Sequence, residues 1–255
     1  MRDLSIALVF LTRLPLPLTG EVDGRDIARS SRYYPLVGAL VGLFVAACFT
    51  LASGPFPPLL AATLAATAST LMTGAFHEDA LGDVADAFGG GMTRERKLEI
   101  MKDSRQGTYG VLAIVLALLL RIQAYALIPM AHAVPVFVAC HALSRVGLVW
   151  MLWRLPTARQ DGLGADAKSL TWREPLIATA FGALLATSLL GYAGIMAAIA
   201  TGIAALLVSY VSLRQIGGIT GDVLGSSQQV GELFALLGLI ALCSSGLPWV
   251  APWLP

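Results

Sequence analysis

The chain has 255 residues, of which 56% are hydrophobic and only 13% are charged. A soluble domain carries about 25% charged residues, so this composition excludes one and identifies an integral membrane protein. The net charge of +1 gives no global field to attract nucleic acid, and the length suits one polytopic membrane domain over residues 1–255.

Residues 1–19 form an apolar segment broken by Arg13, Pro15 and Pro17. It is too short to span, shows no small-residue cleavage site, and is expected at the membrane interface or partway in. Residues 21–33 are polar and basic, with Arg25, Arg29 and Arg32. Seven apolar stretches follow, at approximately 35–53, 56–76, 108–127, 129–152, 175–191, 192–213 and 231–251. Each is close to the ~20 residues that a bilayer requires. The expected fold class is therefore an all-α bundle of about seven transmembrane helices.

Charge sidedness orders these stretches. Of the 17 Lys and Arg residues, only Arg121 and Arg145 fall inside spans, and the other fifteen fall on one side. The positive-inside rule makes that side cytoplasmic, as expected of a multi-pass protein of an inner (cytoplasmic) membrane, and puts the C-terminus outside. The acids follow the same side. Cys48, Cys140 and Cys243 lie in apolar runs with no metal spacing and read as small buried residues. The oligomeric state stays open, a homo-oligomer included.

The segment from His77 to Arg105 concentrates seven carboxylates and five basic side chains between nearly uncharged flanks. It is expected to be a cytoplasmic active-site loop. Asp79, Asp83 and Asp86 are spaced i, i+4, i+7, which on a helix puts three like charges on one face. A divalent cation relieves that repulsion, and hard carboxylate oxygens suit Mg²⁺. Gly89, Gly90 and Gly91 either cradle a phosphate with backbone amides or simply end the helix. Lys102, Ser104 and Arg105 precede the third span and are candidate phosphate contacts, or ordinary positive-inside charges. His77, beside the acids, is a candidate general base.

Two spans carry charge. Arg145 lies about two turns inside the fourth span and is expected to pair with Glu232 or to meet a substrate anion. Arg121 lies nearer the outer end of the third span, where snorkelling would account for it. Residues 217–226 read as a glycine-rich loop in which Asp222 is a candidate substrate contact. Glu232, read as lying in the first turn of the last span, is a candidate further metal ligand.

These motifs resemble the cobalamin synthase family, the adenosylcobinamide-GDP ribazoletransferases. The resemblance rests on His77-x-Asp79-x-Leu81-x-Asp83-x-x-Asp86, on Gly89-Gly90-Gly91, and on the run from Arg94 to Leu112 that contains Lys102-Asp103-Ser104-Arg105-x-Gly107-Thr108-Tyr109-Gly110. Phe10-Leu11-Thr12-Arg13-Leu14-Pro15, Tyr34-Pro35-Leu36-Val37-Gly38 and the run Gly218–Gly225 extend it over most of the chain. Ala80 and Ala87 stand where a typical member has glycine. The resemblance implies a Mg²⁺-dependent membrane enzyme. Its substrates would be adenosylcobinamide-GDP and α-ribazole or its 5′-phosphate, with GMP released. Asp79, Asp83 and Asp86 are then the expected metal ligands, and Lys102 and Arg105 the expected phosphate clamp. Two other readings stay open: a phosphotransferase acting on a lipid alcohol, and a transporter. The transporter would need polar groups through the full bilayer depth, whereas the sequence places nearly all of them at one face.

Overall fold

The computed structural model describes residues 2–18, 20–159, 170–246 and 248–251. The chain's secondary structure there is helical, apart from one parallel bridge between Thr157 and Ile219. Much of the expected 154–174 loop, at residues 160–169, lies outside the described residues, as does the C-terminal Pro255.

Helix α1 (Arg2–Leu11) is short, as the broken apolar segment predicts, and it docks on the bundle. Asp3 accepts from Arg29 at 3.0 Å and from Arg32 at 2.6 Å, which ties α1 to α2 (Gly24–Ser30) and the turn after it. The backbone amide of Arg13 donates to Met72 O at 2.8 Å. Helix α3 (Tyr34–Ser53) starts with Pro35 in its first turn, where the missing amide costs nothing.

The stretch expected to span at 56–76 is not one straight helix. Helix α4 (Pro58–Thr73) stops at Gly74 and Ala75, both left-handed with φ of 68° and 59°, and α5 (Phe76–Gly90) leaves at 88°. Glycine accepts that conformation freely, while for Ala75 it is uncommon, so the bend is held by its surroundings. The acidic segment is consequently not a surface loop. Helix α5 packs between α7 (Thr108–Leu127) and α12 (Gly221–Ser244), with the short α6 (Arg94–Ile100) after it. A Cβ added to Gly225 would sit 2.5 Å from that of Ala80, so the α5–α12 crossing needs small residues on both sides.

The expected fourth span breaks in its middle. Helix α8 (Ala133–Leu143) ends at Ser144-Arg145 and α9 (Val146–Arg154) resumes. Helix α8 packs against α3 through Gly42, where a Cβ would collide with the Phe137 carbonyl. Helices α10 (Arg173–Leu190) and α11 (Tyr192–Ile216) complete the set with α12.

Among the described residues, five helical stretches are long and apolar enough to cross a membrane, or six if the bent α4–α5 pair counts as one span. The expected number was seven. Helix α10 is not among the five; it has 18 residues, with Glu174 in its first turn. The last span also starts earlier than expected. The glycine-rich stretch becomes helix from Gly221 onward because the Thr220 hydroxyl caps it, accepting from Val223 N at 3.2 Å.

Candidate functional site

The i, i+4, i+7 spacing does form a helix, with Glu78 and Asp79 in its first turn, where carboxylates favour the helix dipole. The three aspartates then diverge in role. Asp86 is buried, and its carboxylate accepts from the backbone amides of Gly107 at 2.6 Å and Gly110 at 2.8 Å. Both of its oxygens thus hold the amino end of α7. A Cβ at Gly107 would lie 2.5 Å from Asp86 Oδ1, so the glycines of Gly107-Thr108-Tyr109-Gly110 exist for this approach. Asp83 accepts from Gln106 Nε2 at 3.1 Å. The like charges acting on it are Asp79, Asp222 and Asp86.

Asp79 and Asp222 line one cavity of about 310 Å³, together with His77, Thr157, Arg159 and Thr220. Asp222 comes from the first turn of α12 and Asp79 from the first turn of α5. The opposite wall is the loop after α9, pinned by Ala158 N to Ile219 O and Ile219 N to Pro156 O, both at 2.9 Å. That bridge delivers the Arg159 guanidinium to 4.0 Å from the Asp222 carboxylate, while Arg159 also donates to Leu98 O at 2.7 Å. Arg94 ties α6 to the same loop, donating to Ile216 O at 2.7 Å and Ala158 O at 2.8 Å.

Among the described residues no three His, Cys, Asp or Glu side chains close around a point as a metal cage would. Mg²⁺ does not need one, because it usually keeps waters and binds one or two carboxylates plus substrate phosphates. Asp79 and Asp222 offer such hard oxygens on one cavity, and Asp83 lies near enough for its carboxylate to feel both like charges. Asp86 has both oxygens committed to backbone amides.

Glu232, expected with the metal ligands in a first turn, instead sits about 16 Å along α12 from Gly221. It belongs to a second cluster inside the bundle. Arg121 Nε lies 3.3 Å from Glu232, and Arg121 donates to Glu78 at 2.7 Å and to Gln229. Glu232 also accepts from Tyr125 at 3.1 Å and Gln228 at 2.7 Å, and His141 Nδ1 lies 3.4 Å away. Arg121 is 1% exposed, so it does not snorkel. Its buried position corrects two expectations: Glu232 pairs with Arg121 rather than Arg145, and polar groups run deep into the bundle. Arg145, equally buried, donates to His141 O at 2.7 Å and has no carboxylate within 4.0 Å among the described residues. Its place at the α8–α9 break lets it reach a carbonyl freed by that break.

The basic segment does not line the cavity, but it ends one residue before Gln106, which reaches Asp83. Lys102, Ser104 and Arg105 are exposed. Arg105 grips Asp103 through Nε at 3.0 Å and Nη2 at 2.6 Å, and those hydrogen bonds hold the Asp103 carboxyl down at about 2. Of the three glycines, Gly89 and Gly90 finish α5 and Gly91 is already extended. Gly89 packs on Tyr109, where a Cβ would fall 2.7 Å from the ring. The triplet therefore acts as a helix end.

Sequence reading missed Arg159, whose charge looked like ordinary sidedness, and the Arg121–Glu78–Gln229–Glu232 cluster. The spacing Gln228-x-x-x-Glu232 inside an apolar helix was the available signal.

The sequence pattern of the cobalamin-5-phosphate synthase family matches residues 3–240. The chain is 41% identical to an adenosylcobinamide-GDP ribazoletransferase of Shewanella amazonensis, covering 94% of this chain and 95% of that protein. It is 43% identical to the protein of that name in Bradyrhizobium diazoefficiens, with 92% of each chain covered. The protein of that name in Ralstonia nicotianae is 42% identical, with 96% of each covered. No solved structure matches.

Proposed function

The chain belongs to the cobalamin-5-phosphate synthase family, and on that premise we propose where its chemistry takes place. The protein is a membrane transferase that joins ribazole to adenosylcobinamide-GDP in cobalamin biosynthesis. We assign the reaction to the cavity between α5 and α12. The observation that carries this reading is the arrival of Asp79 and Asp222, from two helices, at one cavity beside His77 and Arg159.

A ribose hydroxyl of α-ribazole, or of its 5′-phosphate, attacks the phosphorus nearest cobinamide. The new P–O bond forms as the bond to GMP breaks, and GMP leaves with the bonding pair. His77 lines the cavity and its Nε2 has no hydrogen-bond partner among the described residues, so it is our candidate to take the hydroxyl proton. Arg159 is within reach of pyrophosphate oxygens at that wall and orients them. Asp79 and Asp222, with Asp83 near them, are the candidate carboxylates for Mg²⁺, which would supply charge neutralisation on the pyrophosphate and on departing GMP. Asp86 acts through the backbone by fixing α7 against α5.

The one-sided Lys and Arg residues support placing this cavity at the cytoplasmic face of the inner membrane. The test is reconstitution of the purified chain in bilayers with adenosylcobinamide-GDP, α-ribazole and Mg²⁺. A corrinoid product with equimolar GMP is expected. Transfer to a lipid alcohol in place of ribazole would overturn the assignment.

A further inference from the structure

We propose that the aromatic wall of this cavity is the subsite for the flat base of α-ribazole. The proposal rests on the transferase reading above and deepens it. The cavity's lining falls into two sets. One is polar: Asp79, Asp222, Arg159, Thr157 and Thr220. The other is apolar and aromatic, built on Phe10. The Phe10 ring lies nearly parallel to Tyr34, with centroids 6.0 Å apart and planes at 16°, and meets Phe76 edge-on at 5.5 Å. Leu11, Leu148 and Leu224 close the apolar side.

Size and polarity choose among the groups that must enter. A volume of about 310 Å³ is at the small end of ligand pockets and excludes the corrin macrocycle. Two flat groups remain, guanine and the dimethylbenzimidazole of ribazole. Guanine carries donors and acceptors around its edge, and burying them unpaired against phenyl rings is costly. A methylated benzimidazole is apolar except for one unsubstituted ring nitrogen. Tyr34 is 3% exposed and stacks behind Phe10, so it backs that ring from the bundle side. With the base on the aromatic set, the ribose lies against the carboxylates and its hydroxyl faces the reacting phosphorus.

The arrangement also gives α1 a purpose. The amino-terminal segment is too short to span, yet ion pairs at Asp3 and the Arg13–Met72 hydrogen bond hold it on the bundle. What it delivers to the cavity is Phe10 and Leu11.

The test measures equilibrium binding of each substrate alone to the full-length protein in nanodiscs, with turnover recorded in parallel. Phe10→Ala should weaken α-ribazole binding about tenfold, the scale of losing one aromatic–base stack. Binding of adenosylcobinamide-GDP should stay within about twofold. Phe10→Leu keeps the packing volume and should show the same asymmetry, which separates lost stacking from a collapsed fold. If the Phe10 variants weaken GMP or adenosylcobinamide-GDP binding instead, the cavity holds guanine and the proposal is wrong. Unchanged α-ribazole affinity in both variants also overturns it. If the parent protein binds α-ribazole but forms no corrinoid product, the transferase assignment to this cavity fails while the subsite stands.

Discussion

Arg121 donates to Glu78 across 2.7 Å in the interior of the bundle, where the two side chains are 1% and 8% exposed. The pair joins the middle of α7 to the first turn of α5, next to Asp79. Removing the cation would leave Glu78 and Glu232 buried without the guanidinium that pairs with them directly. Arg121→Met should therefore cost roughly 3–5 kcal/mol of stability. Glu78→Gln should cost less, because the amide oxygen still accepts from the guanidinium. Denaturant unfolding in detergent micelles reads both. An unmoved midpoint for Arg121→Met would mean that water or lipid headgroups reach the cluster.

Asp86 separates a structural carboxylate from a ligand. Asp86→Ala deletes both acceptors at the amino end of α7 and should lose about 1–3 kcal/mol. Asp86→Asn keeps a carbonyl acceptor for one amide. That variant should retain turnover with the parent's Mg²⁺ dependence. A large rise in the Mg²⁺ concentration needed for half-maximal activity would return Asp86 to the metal.

Asp83 and Asp222 make the opposite prediction. Asp83→Asn should abolish turnover while the protein still inserts and folds, and Asp222→Asn should do the same. EDTA should silence the parent enzyme and added Mg²⁺ should restore it. Near-normal activity of Asp83→Asn at saturating Mg²⁺ would remove Asp83 from the donor set.

The contrast among these carboxylates shows what the sequence could disclose. Spacing showed that Asp79, Asp83 and Asp86 would share a face if helical, because a 3.6-residue period is a local property, but the segment as a whole was expected to be a loop and is helix α5. It could not separate their roles, since the groups that distinguish them come from elsewhere: Gly107 and Gly110 for Asp86, Gln106 for Asp83, the cavity shared with Asp222 for Asp79. The apolar runs revealed the spans, but hydropathy is blind to the left-handed pair Gly74-Ala75 that turns α4 into α5. Arg121 looked like a snorkelling side chain because Glu78, its partner, lies on a segment read as surface loop. Thr220 was equally hidden, a single hydroxyl that converts a glycine-rich stretch into the start of α12.

Arg105 offers the cleanest test of the phosphate clamp because so little of the fold depends on it. Its side chain is 86% exposed and its visible partner, Asp103, is two residues away on the same loop. An exposed pair of this kind adds little to stability. Arg105→Ala should accordingly leave the unfolding midpoint where it was, so a kinetic defect can be read as lost substrate contact. If the guanidinium swings from Asp103 to the pyrophosphate, it meets more charge as GMP departs than in the ground state. Interactions stronger in the transition state lower kcat when removed, whereas uniform binding changes only KM. The expected result is a fall in kcat/KM for adenosylcobinamide-GDP of about 10²-fold or more, the scale of one lost electrostatic donor. The KM for α-ribazole should change far less, because that substrate carries at most one phosphate. Lys102→Ala should act in the same direction if both cations hold one anion. Parent-like kinetics for adenosylcobinamide-GDP in Arg105→Ala, with the loop now found on the opposite side of the membrane, would assign the residue to topology and end the clamp.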